Sequence, residues 1–277
     1  MVKMSTVWDR TAEFLSENIA AILPIALFAF FVPASVGGSF QPVLLTATPG
    51  LAVALRLVQL AFAILSVWGS LAITALALEG ASGETAGTIA RRRLLPALLV
   101  SVALGVAMIA LVLPVSIVLA VSGYDLTAIG RGDAVEISSS AAAFVSIYFL
   151  VFSIAMLWIG ARLIVVTPVI VREGLMLGSI PRSWRLTRGS TWRIIGVLIL
   201  FVVVASVSAL AANTVFGSIF ALVAGGGEDG ISLAGVLTST VTAAVQTAFL
   251  VLLPAFTAKL YLALAAQAAL RTHVQPS

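Results

Sequence analysis

Arg162, Arg172, Arg182, Arg185, Arg188 and Arg193 fall within a single stretch, 161–193, and make up six of the chain's fifteen basic residues. One acid, Glu173, stands among them. Guanidinium groups at this density suit phosphate or carboxylate oxygens, because each presents a planar fork of donors that matches both anions. From Ser179 the residues predict a short helix, with Ser179 as its cap and Pro181 in the first turn, where a missing N–H costs little. Arg182, Arg185 and Arg188 then recur every third residue and spread over roughly 120° of one flank at helical spacing. Trp184 and Leu186 border that flank, Gly189 stops the helix, and Trp192 and Arg193 open the next one. The expectation is a segment lying along a membrane surface. Its contacts with anionic headgroups or a partner fall to Arg162, Arg182, Trp184, Arg185, Arg188, Trp192 and Arg193. The plainer alternative leaves these arginines as topology signals, or pairs them internally with Glu173, Glu79 and Glu84.

Other chemistry finds little material. Without cysteine the chain has no disulfide, thiolate metal site or cysteine nucleophile. Metal-assisted hydrolysis needs clustered carboxylates, usually with histidine, to hold a cation and move protons. The single histidine, His273, lies in the C-terminal tail. Asp125, Asp133, Glu136, Glu228 and Asp229 could gather on one face around a divalent cation, yet an acidic, solvated loop set is the simpler reading. Gly225–Gly227 precedes acids rather than a Lys-Ser or Lys-Thr pair, so it is not a phosphate loop. No enzyme, cofactor or metal is expected.

The elements that must position the arginines are membrane helices. Apolar residues make up 61% of the chain and charged residues 9%, against roughly 45–50% and 25% in a soluble domain. Six apolar runs have the length that spans a bilayer core: about 19–36, 51–78, 94–121, 141–160, 194–216 and 233–255. Pro24, Pro33 and Pro114 interrupt them, so neighbouring helices must satisfy the backbone groups these prolines leave unpaired. No cleavable signal peptide precedes the first run, which follows Asp9, Glu13 and Glu17. Residues 1–18 instead read as an amphipathic interfacial helix. Met4, Val7, Trp8, Thr11, Phe14 and Leu15 share one face, and Thr6 is a plausible cap. Packing of that face on the protein itself is the alternative.

Thirteen of the fifteen basic residues fall on the side of the termini, leaving Arg131 and Arg56 elsewhere. Excess Lys and Arg in short loops stays cytoplasmic, so both termini are expected there. The high pI therefore points to anionic lipid and not to nucleic acid. The domain reading is 1–18 for the interfacial helix and 19–277 for a six-span membrane domain carrying the arginine segment. Ser70, Arg162 and Lys259 recur at matching places in the alike endings of the even spans, which suggests three hairpin repeats of the same sense. Polar and small residues at helical spacing, Arg56–Gln59–Ser66–Ser70, Ala205–Ala209–Asn213 and Thr238–Thr242–Gln246, suit helix packing. A solute path would use the same faces, but no Asp or Glu lies mid-span to couple ions.

The run ARLIVVTPVIVREG followed by SIPRSWRLTRGSTWRIIG resembles the membrane domain found with bacterial glycerophosphoryl diester phosphodiesterases, a domain that also occurs as a stand-alone membrane protein. Arg162, Pro168, Glu173, Ser183, Trp184, Leu186, Thr187, Gly189, Trp192 and Arg193 carry the resemblance, and the WDRTAEFLSEN opening fits it. The resemblance implies an all-α, multi-pass protein of a bacterial plasma membrane. Some members carry an appended catalytic domain. The few residues after Lys259–Tyr261 leave no room for one, so a membrane module is expected and not a phosphodiesterase. Two functions follow. One is a lipid-associated scaffold or accessory module whose partners are membrane phospholipids or another membrane protein. The other is a carrier or permease for a lipid or small amphiphile along spans 2, 5 and 6.

Overall fold

The computed structural model describes residues 3–37, 47–79, 83–131, 138–224 and 233–274. Every regular element among them is helical. In chain order these are α1 (Met4–Glu17), α2 (Ile19–Gly37), α3 (Pro49–Glu79), α4 (Gly83–Val121) and α5 (Leu126–Arg131). There follow α6 (Ser139–Leu163), α7 (Val166–Glu173), α8 (Ser179–Thr187), α9 (Thr191–Ala224) and α10 (Leu233–Val274). Six stretches are long and apolar enough to cross a membrane: α2, α3, α4, α6 with α7, α9 and α10. The chain is an all-α, multi-pass membrane protein. Six crossings bring α1, the α3–α4 connection, the α7–α8 corner and the end of α10 to one side, the basal side.

Burial is uneven along the spans. Half of the most apolar stretch of α10 is buried, against 6% to 17% for those of α3, α4, α6 and α9. Helix α10 is thus the post on which α1, α2, α3, α7, α8 and α9 pack. Two apolar clusters surround its basal half. One joins Phe14, Ile22, Leu76 and Ile170; the other joins Val7, Val165, Leu186 and Leu260. Farther from the base, Val106, Ile109, Ile147, Leu150, Val207 and Leu210 stay exposed, as side chains facing lipid do.

Proline sites show how neighbours compensate. Pro33 has no N–H to offer the Ala29 carbonyl four residues earlier. Helix α2 relaxes there into a π turn, Leu27–Phe31, and Ser66 of α3 donates its hydroxyl to Ala29 O at 3.0 Å. The approach is close: a Cβ at Gly69 would fall on that of Ala29. Near Pro114, Tyr148 of α6 donates to the Leu111 carbonyl. Ser66 is therefore a packing residue. Thr238 likewise bonds its own helix at Ala234 O, whereas Gln246 and Asn213 are exposed.

The packing bears on three expectations and corrects one of them, the cap at Thr6. The apolar face of α1 is covered by protein, because Val7, Thr11 and Phe14 are buried and the Trp8 ring lies 5.7 Å from that of Phe256. Thr6 caps nothing, since α1 already begins at Met4 and no side chain bonds its N-terminal amides. The helix pairing is also unequal: α9 runs along α10, while α4 packs chiefly on α3 and only lightly on α6. Packing alone does not reproduce three equal hairpins.

Candidate functional site

The arginine segment folds as a helical corner between α6 and α9. Helix α7 is one apolar strip, with Val166, Pro168, Val169, Ile170 and Val171 buried against α3, α4 and α10. It ends on Gly174, whose φ of 72° lets the Gly174 amide return to Ile170 O at 3.1 Å. That φ favours glycine. A Cβ would also lie 2.7 Å from a terminal nitrogen of Arg93. Leu175, Met176 and Leu177 then form an exposed apolar tip before α8.

Helix α8 is held from its inner face. Ser179 is not its cap: the helix starts after Gly178, and the Ser179 hydroxyl turns back to Met176 O at 2.6 Å. Ser183 and Thr187 are buried; Ser183 donates to the Arg162 carbonyl at 2.7 Å, and the Thr187 hydroxyl, nearest Ser183 O at 3.0 Å, lies 3.3 Å from that carbonyl. The helix stops at Thr187, Arg188 is extended, and Gly189 at φ 94° turns the chain into α9.

The seven residues expected to form the site divide into two groups. Arg162 stands beside the Trp158 and Trp184 rings, which meet edge to face 5.0 Å apart, at 5.1 and 5.3 Å from their centres, and donates to Trp184 O at 3.3 Å. Its buried Nε has no partner among the described residues. Arg182 donates Nε to both oxygens of Glu173 at 3.0 Å, and the Tyr261 hydroxyl of α10 reaches Oε1 at 2.9 Å. Arg162, Arg182 and Trp184 are therefore engaged inside the protein. Arg185, Arg188, Trp192 and Arg193 are exposed, Trp192 at 82%. A cavity of about 290 Å³ sits at the start of α9 with Trp158, Arg162, Gly189, Trp192 and Arg193 among its walls.

The internal-pairing alternative thus holds for Arg182 and Glu173; the side chains of Glu79 and Glu84 lie outside the described residues. Asp125 accepts the Ala128 amide at 3.2 Å at the start of α5. Asp133, Glu136, Glu228, Asp229 and the glycine run 225–227 lie outside the described residues. Sequence reasoning missed Tyr261, the third member of the Glu173 cluster, and Arg93, which closes a basal cavity of about 320 Å³ with Arg92 and Arg172. The lone acid among six arginines was the available signal for the first. The triplet Arg91–Arg93 was the signal for the second.

A family model for the membrane domain of glycerophosphoryl diester phosphodiesterase matches residues 136–276, just over half of the chain. The match takes in α6 to α10 and hence the whole arginine corner. It is a match to the membrane domain and not to the catalytic one. No curated protein and no solved structure matches the chain. With the six apolar helices and the corner built on Arg162, Glu173 and Trp184, the chain belongs to the family of the membrane domain of glycerophosphoryl diester phosphodiesterase.

Proposed function

We propose that this protein is a lipid-associated membrane module whose arginine corner engages anionic phospholipid headgroups on the cytoplasmic face of a bacterial inner membrane. The observation that carries the reading is the division of labour in the segment. Arg162 and Arg182 turn into the fold, while Arg185, Arg188 and Arg193 are exposed on the same stretch as Trp192, itself 82% exposed. An exposed indole beside guanidinium groups is what the headgroup level of a bilayer favours. The exposed Leu175–Leu177 tip lies at the other end of α8, so both ends of the corner have apolar side chains to bury in the interface. Catalysis belongs to a different domain of the family's enzymes, and the role proposed for this chain is binding. The carrier reading has less support, since Ser66 and Thr238 bond helix carbonyls.

The test is lipid retention. Arg185, Arg188 and Arg193 are replaced together by Gln, and anionic phospholipid co-purifying in mild detergent is compared with wild type. Each arginine contributes about 1 kcal/mol near an anionic surface, so the triple variant loses up to about 100-fold in affinity at low salt. A variant that inserts normally and keeps the wild-type lipid complement reduces these arginines to topology signals.

A further inference from the structure

A third basal cavity, of about 380 Å³, lies between α1, the end of α3 and α10. Its charged walls are Arg10, Glu13 and Glu17 from α1 and Lys259 from α10, and Leu76 and Leu78 line it as well. Lys259 is partly buried; the other three are exposed. The Lys259 ammonium donates to Ala77 O at 2.9 Å and stands 4.8 Å from the centre of the Phe14 ring. An ammonium carries three N–H donors, and the carbonyl takes one. Among the described residues no ion pair joins Arg10, Glu13, Glu17 or Lys259. Tyr261, two residues further along α10, points instead to Glu173, so this cavity and the arginine corner use different sides of that helix.

Two cations and two carboxylates therefore surround a cavity with no direct ion pair between them. A purely anionic ligand is opposed by Glu13 and Glu17, and a purely cationic one by Arg10 and Lys259. A ligand bearing both signs meets a partner for each. We propose that this cavity binds a phosphoammonium group: a phosphate ester joined through a short alkyl bridge to an ammonium. Lys259 and Arg10 receive the phosphate oxygens, and the two carboxylates receive the ammonium. Either a zwitterionic phospholipid or a free phosphoamine supplies this chemistry. Asn18 closes α1 at the cavity and donates to Phe14 O at 2.9 Å. From the next residue Ile19, Leu23 and Leu27 are exposed at four-residue spacing, a track on which an acyl chain can lie.

The experiment uses the purified full chain in mild detergent with equimolar phosphatidylethanolamine and phosphatidylglycerol, and reads bound lipid by native mass spectrometry. Wild type is expected to retain phosphatidylethanolamine. The exposed pair Glu13→Gln and Glu17→Gln is expected to lower that retention by about tenfold, the effect of losing a charged hydrogen bond, with phosphatidylglycerol undiminished. Arg10→Gln lowers it also. Displacement of the lipid by free phosphoethanolamine identifies a soluble ligand, and resistance to it identifies the lipid; both outcomes support the site. Variants that keep the wild-type complement and the wild-type preference overturn it. Lys259 is then a tie between α10, α3 and α1. Retention of phosphatidylglycerol at the arginine corner is a separate reading, so failure of one proposal leaves the other standing.

Discussion

Arg182, Arg185 and Arg188 share one spacing, yet among the described residues only Arg182 meets an acid, and it does so where Tyr261 and Glu173 come together from α10 and α7. The ion pair is partly exposed, with side-chain exposures of 35% for Arg182 and 23% for Glu173, so charge alone contributes little. The pair is bidentate on the carboxylate side and shares an oxygen with Tyr261, which favours measurable coupling. A double-mutant cycle of Arg182→Gln and Glu173→Gln, read by thermal unfolding in detergent, is expected to return about 1 kcal/mol of coupling. Additive losses would show that the contact does not hold α7 to α8. The sequence made a pairing with Glu173 legible as an alternative, because a lone acid among arginines draws one of them. Which arginine depended on the path of α10, some ninety residues away, and no local spacing carries that information. Arg162 is similar. Its indole neighbours Trp158 and Trp184 are each visible as aromatic residues, but their meeting needs the α7 turn between them.

At the scale of elements, the spans were legible because about 20 apolar residues in a row have one reading in a bilayer. The ends were less so. Helix α4 begins at Gly83, through residues that read as a polar connection, since nothing in TAGTIARRR breaks a helix. The amphipathic stripe of α1 was clear, but a stripe says only that something apolar covers it; the structure puts α10 there. The span read at 141–160 stops short of α7, which the sequence reading left without an element, and the Gly174 stop passed unnoticed. That stop is testable. Gly174→Ala places a side chain at φ 72° and against the Arg93 guanidinium, which costs about 1–3 kcal/mol. The expected result is a lower unfolding temperature with Arg93 left in place, and partial recovery when Arg93→Ala is added. An unchanged unfolding temperature would contradict the tight approach of α4 to the end of α7.

The whole molecule is packed at its base and open above it. Apolar clusters, the Glu173 cluster, Arg162 with its two indoles and the three charged cavities all lie toward the side where the arginines gather. The outer parts of α4, α6 and α9 contribute exposed apolar surface. A protein built this way is anchored by lipid along its length and does its recognition at one headgroup layer. Trp192 reports on that layer directly, because it is the most exposed aromatic at the corner and stands between Arg188 and Arg193 in the chain. The measurement is fluorescence quenching in vesicles by brominated lipids of the same acyl chain, phosphatidylglycerol against phosphatidylcholine, taken as the difference between wild type and Trp192→Phe. The predicted result is stronger quenching of the Trp192 component by brominated phosphatidylglycerol, reduced in high salt. Equal quenching by both lipids, or quenching of that component only by a water-soluble quencher, would contradict the placement of the arginine corner against anionic headgroups.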